Sequence, residues 1–219
     1  MKNTFFFCLV LIFCHLTAIT AQAQSSTNDP KAEAILEAVS KKYKSIVAFH
    51  ASFLYTLESS GNTKESYAGD LTVKGAKYRL KMGGQEIINN GTTVWTYMKE
   101  SNEVNITNHE PEEDELSPAK IFTVYKKGYK YVFTEELKEK GVVYEVVDLI
   151  PENRNNQIFK IRLFINKKDK SIKNLRVFEK SGNRSYYTIT KFDPDDTIDE
   201  KPFVFDKTKY KGIEVIDLR

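Results

Sequence analysis

From Phe49 onward the chain alternates apolar and polar residues with a period of two. Ala51, Phe53, Tyr55 and Leu57 fall on one side of an extended strand, and Ser52, Leu54, Thr56 and Glu58 on the other. Gly61-Asn62 turns the chain, and Tyr67, Gly69, Leu71 and Val73 form a second strand that Lys74-Gly75 ends. Residues 78–82 make a third, Gly83-Gly84 turns again, and residues 86–89 make a fourth. Asn90-Gly91 is the strongest hairpin signal in the chain. It leads into residues 94–98, and 103–107 follow the polar Glu100-Ser101-Asn102. Alternation resumes at 129–133, 142–149, 158–165, 172–178 and 185–192. About eleven strands at this spacing predict an antiparallel meander, and a sheet that wide curls. The tail from Lys201 carries two apolar patches, Phe203-Val204-Phe205 and residues 213–216, expected to pack along an edge.

Helical spacing occurs twice. Asp29-Pro30 reads as an N-cap and first helical position, followed by a stripe of Ala34, Ile35, Ala38, Val39 and Tyr43 over roughly four turns. Lys41, Lys42 and Lys44 crowd its C-terminal end, where cations suit the helix dipole. Ser117-Pro118 gives a second start, with Ile121, Phe122 and Tyr125 on the apolar face. Helices against one face of a curled sheet would cover its hollow. The same pattern fits either a closed core or a partly filled apolar cavity.

Residues 1–23 have a different character. Lys2, an apolar run over 5–16 and the triplet Ala21-Gln22-Ala23 match a cleavable export signal. Cys8 and Cys14 both sit inside it, so cleavage leaves a body of residues 24–219, read as one domain, without a cysteine. Phe13 stands before Cys14 where lipid attachment needs a small residue, so a released protein is expected. That body carries 32 basic and 30 acidic residues. Such balance argues against nucleic acid as a partner, because phosphate contacts need clustered cations.

Catalytic patterns are absent from this sequence. His50 and His109 are the only histidines beyond residue 23 and stand apart from any nucleophile–base pair, so no catalytic residue is assigned. No zinc spacing, hydrolase elbow or phosphate loop occurs. The acidic run over 112–115 lacks the alternating pattern and central glycine of a calcium loop. No metal, cofactor or enzymatic activity is expected.

Several segments in order do point to a family. An amphipathic helix precedes Phe49-His50-Ala51-Ser52-Phe53, then Gly69-Asp70-Leu71-Thr72-Val73-Lys74 and Tyr78-Arg79. Asn90-Gly91-Thr92-Thr93-Val94-Trp95-Thr96-Tyr97 and Ser117-Pro118-Ala119 come next. This order and spacing resemble the periplasmic outer-membrane lipoprotein carrier family, LolA, from about residue 32 to 205. The resemblance implies a mainly β fold, an incomplete antiparallel β-barrel of about eleven strands covered by two or three helices as a lid. It implies a soluble, monomeric carrier in the periplasm. Such a carrier takes triacylated lipoproteins from an inner-membrane ABC transporter, hides their acyl chains, and passes them to an outer-membrane receptor. A sensing module of the same fold, reading envelope lipids or lipoproteins, is the alternative.

The resemblance also assigns positions. Phe49, Phe53 and Tyr55 match the apolar positions of the family's first strand, Tyr78 and Leu80 those of the third, and Trp95 and Tyr97 those of the hairpin. These seven form the expected acyl-chain cavity, with Leu80 standing where the family commonly has tryptophan. Ile121, Phe122 and Val124 would belong to the lid. The family often has an Arg-Pro pair after the second strand, whose arginine latches the lid. Here Lys74-Gly75 stands in that place, and a lysine lacks the guanidinium fork. Lys74 and the nearby Arg79 are the latch candidates.

Overall fold

The computed structural model describes residues 28–61, 63–110 and 128–219. The leader, the second helix start and the lid positions Ile121, Phe122 and Val124 lie outside the described residues. The described chain runs α1 (Pro30–Lys44), β1 (Ala48–Glu58), β2 (Lys64–Lys74), β3 (Lys77–Met82), β4 (Gln85–Asn89), β5 (Thr93–Met98) and β6 (Glu103–Asn108). It continues with β7 (Tyr129–Glu139), β8 (Val142–Pro151), β9 (Ile158–Asn166), β10 (Ile172–Glu179) and β11 (Arg184–Pro194). Two 3-10 turns, Lys201–Phe203 and Lys207–Lys209, precede β12 (Glu214–Asp217).

The strands form one open sheet in the order β12-β6-β5-β4-β3-β2-β1-β11-β10-β9-β8-β7. All neighbours are antiparallel except β12, which lies parallel to β6. The eleven strands expected from alternation are all present, and β12 from the tail adds a twelfth. The fold is an incomplete barrel whose two ends, β12 and β7, do not meet. The mainly β architecture with a helix on one face agrees with the sequence reading.

Asp29 explains how the helix is hung on the sheet. Its carboxylate accepts from Lys31 N–H at 2.8 Å and Ala32 N–H at 3.3 Å, capping α1. It also accepts from Phe133 N–H at 3.0 Å, while Asp29 N–H donates to Tyr131 O at 3.2 Å. One residue thus caps the helix and pairs part of the β7 edge, a row of groups that would otherwise invite another strand. The Phe133 amide above all, with the Lys31 and Ala32 amides, holds the Asp29 carboxyl below the ordinary carboxylate range against the opposing effect of burial.

The buried stripe of α1 is Ala32, Ile35, Leu36, Val39, Ser40 and Tyr43. Of the expected stripe, Ile35, Val39 and Tyr43 are inside; Ala34 is exposed and Ala38 half-buried. The stripe is rotated toward Ala32 and Leu36, because the larger Leu36 buries more apolar surface than an alanine. It packs on Tyr129, Tyr131, Val147, Leu149, Ile161, Leu163, Leu175 and Val177 of β7–β10. Burying a side chain such as Leu36 contributes roughly 1.5–3 kcal/mol. This side of the sheet is the helix face.

The opposite side is covered in a different way. Across β1–β6 the C-terminal tail lies on it. Phe203 is 1% exposed and clusters with Ala48 and Ile198. Across β8–β11 no helix among the described residues covers it, and charged and aromatic side chains shield the strands. Arg162 forms a two-pronged pair with Asp148 at 2.6 and 2.8 Å, and the Arg176 guanidinium sits 4.3 Å from the Phe164 ring centre and 5.6 Å from that of Tyr186.

Candidate functional site: the helix face of strands β1 to β6

Strand alternation and register decide which expected site residues meet. On β1 the helix-face residues are Phe49, Ala51, Phe53 and Tyr55. Opposite them on β2 stand Val73, Leu71, Gly69 and Tyr67. β2 pairs these with Tyr78, Leu80 and Met82 on β3, which in turn face Asn89, Ile87 and Gln85 on β4. Phe49, Ala51, Val73 and Tyr78 form a buried cluster, with Leu71, Leu80, Ile87 and Phe192 half-buried against it. Five of the seven expected cavity residues, Phe49, Phe53, Tyr55, Tyr78 and Leu80, therefore share one surface.

An aromatic row runs along β1. Phe49 packs 4.8 Å from Phe192, which meets Tyr43 of α1 edge-on at 5.4 Å. Phe53 and Tyr55 lie 6.1 and 5.0 Å from Tyr187. Burial, with Tyr55 and Glu179 adding to it, pushes the Tyr187 hydroxyl up to about 12. Gly69 serves this row: a Cβ there would come within 2.8 Å of three atoms of the Phe53 ring. The missing side chain lets the ring lie flat over β2.

Trp95 and Tyr97 do not belong to this surface. They register with Ile88 and Glu86 on β4 and with Ile106 and Val104 on β6, all on the opposite side from Ile87 and Leu80. The positions of β5 that join the helix face are Val94, Thr96 and Met98. Tyr97 packs 4.5 Å from Tyr210 of the tail, and Phe205 stacks on the same Tyr210 ring at 4.9 Å. An aromatic pair at i and i+2 necessarily shares one face, and register sends this pair to the tail side.

The latch candidates are also on the tail side. Lys74 Nζ donates to Ile198 O at 2.6 Å and pairs with Glu200 at 3.2 Å, a carboxylate shared with Lys77 at 2.7 Å. Arg79 binds Glu86, and its guanidinium reaches Pro202 O at 3.4 Å. Tyr210 donates to the other oxygen of Glu86 at 2.5 Å. Both cations hold the tail, and they are separated by the sheet from the surface a lid would close. Burial works to raise the Glu86 carboxyl, but Arg79 and Tyr210 outweigh it and the net shift is downward. Burial and the Glu86 carboxylate push the Tyr210 hydroxyl up to about 12.

Where β3–β6 meet the residues after β6, the helix face opens into a recess of about 500 Å³. Tyr78, Ile87, Val94, Thr96, Thr107 and His109 line it. That size falls in the range of small-molecule sites, roughly 300–1,000 Å³. His109, to which the sequence assigned no role, is part of this wall. The signal that could have found it is its position two residues after Thr107, on the same side of the chain as Val94 and Thr96. Among the described residues no cluster of His, Cys, Asp or Glu could hold a metal ion, and no helix is long and apolar enough to cross a membrane.

The sequence model of the family described as outer membrane lipoprotein carrier protein LolA matches residues 25–182. The chain belongs to the LolA family. The match spans α1 through β10, and the tail that covers the opposite face lies beyond it. No curated protein matches the chain by sequence. Among solved structures, an uncharacterised conserved protein of Thermus thermophilus is 12% identical. The alignment covers 85% of this chain and 99% of that chain at a TM-score of 0.57. The Mycobacterium tuberculosis lipoprotein LppX is 10% identical, with 78% of this chain and 100% of that chain covered at 0.51. A LolA superfamily protein from Nitrosomonas europaea is 14% identical over 80% of this chain and 98% of that chain, at 0.43. The first two likenesses show a shared fold.

Proposed function

We propose that this protein is a periplasmic carrier that holds the acyl chains of lipoproteins against the helix face of β1–β5. One observation carries the reading. α1 spends its apolar stripe on β7–β10, while Leu71, Leu80 and Ile87, on the same face, stay half-buried beside a recess of about 500 Å³. An apolar surface in that position gains roughly 0.8 kcal/mol for each methylene it removes from water. Binding by area alone is non-directional and reversible, which a shuttle needs. In this reading the chain accepts triacylated lipoproteins from an inner-membrane ABC transporter and yields them to an outer-membrane receptor. The energy enters at the donor, so the carrier itself catalyses no reaction. The family's description as a lipoprotein carrier supports the assignment.

Depletion in cells tests it. Lipoproteins bound for the outer membrane should accumulate at the inner membrane, and a mass spectrum of protein taken from the periplasm should contain an acylated peptide. Normal sorting after depletion, with no acylated species on the purified protein, would remove the carrier reading.

A further inference from the structure

The helix face is not uniform. On β1–β3 it presents Phe49, Phe53, Leu71, Val73 and Leu80, whereas toward β6 the same face carries Asn89, Thr96 and Thr107. The recess lies on this boundary, and one hydrogen bond fixes the chemistry at its edge. Asn89, 0% exposed, accepts from Gly91 N–H through Oδ1 at 2.7 Å. That bond orients the amide, so the atom 3.1 Å from His109 Nδ1 is Asn89 Nδ2. An amide NH₂ group only donates. His109 Nδ1 is therefore the acceptor, and the neutral ring carries its proton on Nε2. The backbone is held as well, since His109 N–H donates to Thr92 O at 2.8 Å. Among the described residues no hydrogen bond engages Nε2.

We propose that this corner is a head-group subsite in which His109 Nε2–H, assisted by the hydroxyls of Thr96 and Thr107, donates to ester or amide carbonyl oxygens of an acylated ligand. The chains of that ligand lie along Leu71, Leu80 and Ile87, which register side by side across β2, β3 and β4. The subsite rests on the acyl-binding reading above and gives it a polarity: tails toward β1, head toward β6. Charge selects the ligand class. Among the described residues Glu110 lines the recess and no lysine or arginine does. A phosphate would meet a carboxylate without a compensating cation, whereas an uncharged carbonyl asks only for donors. Asn89 is the positioning residue, because it sets which ring nitrogen bears the proton.

The test compares dioctanoylglycerol with its ether analogue dioctylglycerol, which keeps both chains and the free hydroxyl but lacks the two carbonyl oxygens. Each lipid displaces the apolar dye N-phenyl-1-naphthylamine from purified protein. The ester should bind about 3- to 10-fold more tightly, the effect of one net hydrogen bond. His109→Gln, whose Nε2 donor sits in the corresponding place, should keep the preference. His109→Leu should abolish it; each variant's own dye affinity is titrated first, so that the ester-to-ether ratio alone is compared. Ester preference that survives in His109→Leu overturns the role of His109. Equal affinity of wild type for the two lipids overturns the subsite and leaves acyl binding standing, while a wild-type protein that binds neither dye nor lipid overturns both. A nitrogen NMR spectrum of the wild-type ring gives a second reading independent of any variant: protonated Nε2 with bare Nδ1 is expected, and the opposite tautomer refutes the proposal.

Discussion

Gly69 and Asp29 show how single residues set the geometry of the site. Gly69 sits in mid-strand, where glycine weakens a sheet, yet the Phe53 ring occupies the space its side chain would fill. Gly69→Ala should force that ring off β2 and cost about 1–3 kcal/mol, read as a lower urea midpoint with an unchanged slope. A midpoint equal to wild type would mean the ring is free to move. Asp29 was legible in sequence as a helix cap, because an aspartate before proline carries that signal locally. Its second role, accepting from Phe133 N–H, was not legible, since Phe133 lies far along the chain. Asp29→Ala should cost about 1–2 kcal/mol through the cap alone. Hydrogen exchange at Phe133 should speed up together with exchange at the start of α1, and loss of protection at the helix alone would count against the shared role.

Among the elements, the C-terminal tail departs furthest from expectation. Its apolar patches were readable, and β12 does pair with an edge strand. The sequence did not reveal that residues 198–210 would cross a sheet face and recruit Lys74, Arg79, Glu86 and Tyr97. The Arg79–Glu86–Tyr210 group gives this docking a pH window. The folded Glu86 carboxyl lies below its ordinary value, so its contribution is full above about 4.5 and fades as pH falls through the lowered value. The Tyr210 hydroxyl is raised to about 12, so its contribution is full below about 10 and is lost as pH climbs through 12. Amide protection over residues 198–218, taken relative to the intrinsic exchange rate at each pH, should therefore be highest between these limits. Tyr210→Phe should weaken tail docking by about 1.5–3 kcal/mol, the worth of a hydrogen bond to a charged group, and should remove the alkaline loss. An alkaline limb that persists in Tyr210→Phe would place the titrating group elsewhere.

At the scale of the whole molecule, one sheet separates two coverings. α1 and the proposed acyl-binding surface occupy one side, and the tail occupies the other across β1–β6. The sole tryptophan, Trp95, reports on which side a ligand enters. A bound fatty acid brominated along its chain should leave Trp95 emission essentially unquenched, because the sheet stands between them. In a Trp95→Phe, Leu80→Trp double variant the new indole lies on the helix face, and the same ligand should quench it strongly. Quenching of Trp95 in the wild-type protein would move the binding surface to the tail side.

The chain by itself determined the strands, the hairpin neighbours among them and the helix cap, because alternation, turn residues and capping act over a few positions, whereas the β1–β11 pairing came only from the sheet. It also put Phe49, Phe53 and Tyr55 on one face, since residues two apart on a strand cannot separate. Which face that would be, and what would lie against it, is a matter of register between distant strands. A shift of one residue exchanges the faces, and the local pattern of β5 reads equally well both ways. Only the paired sheet could send Trp95 and Tyr97 to the tail side, turn Lys74 and Arg79 into tail anchors, and bring Asn89 against His109. The Asn89–His109 contact spans 20 positions and the Lys74–Ile198 and Glu86–Tyr210 contacts span 124, and no local periodicity encodes them.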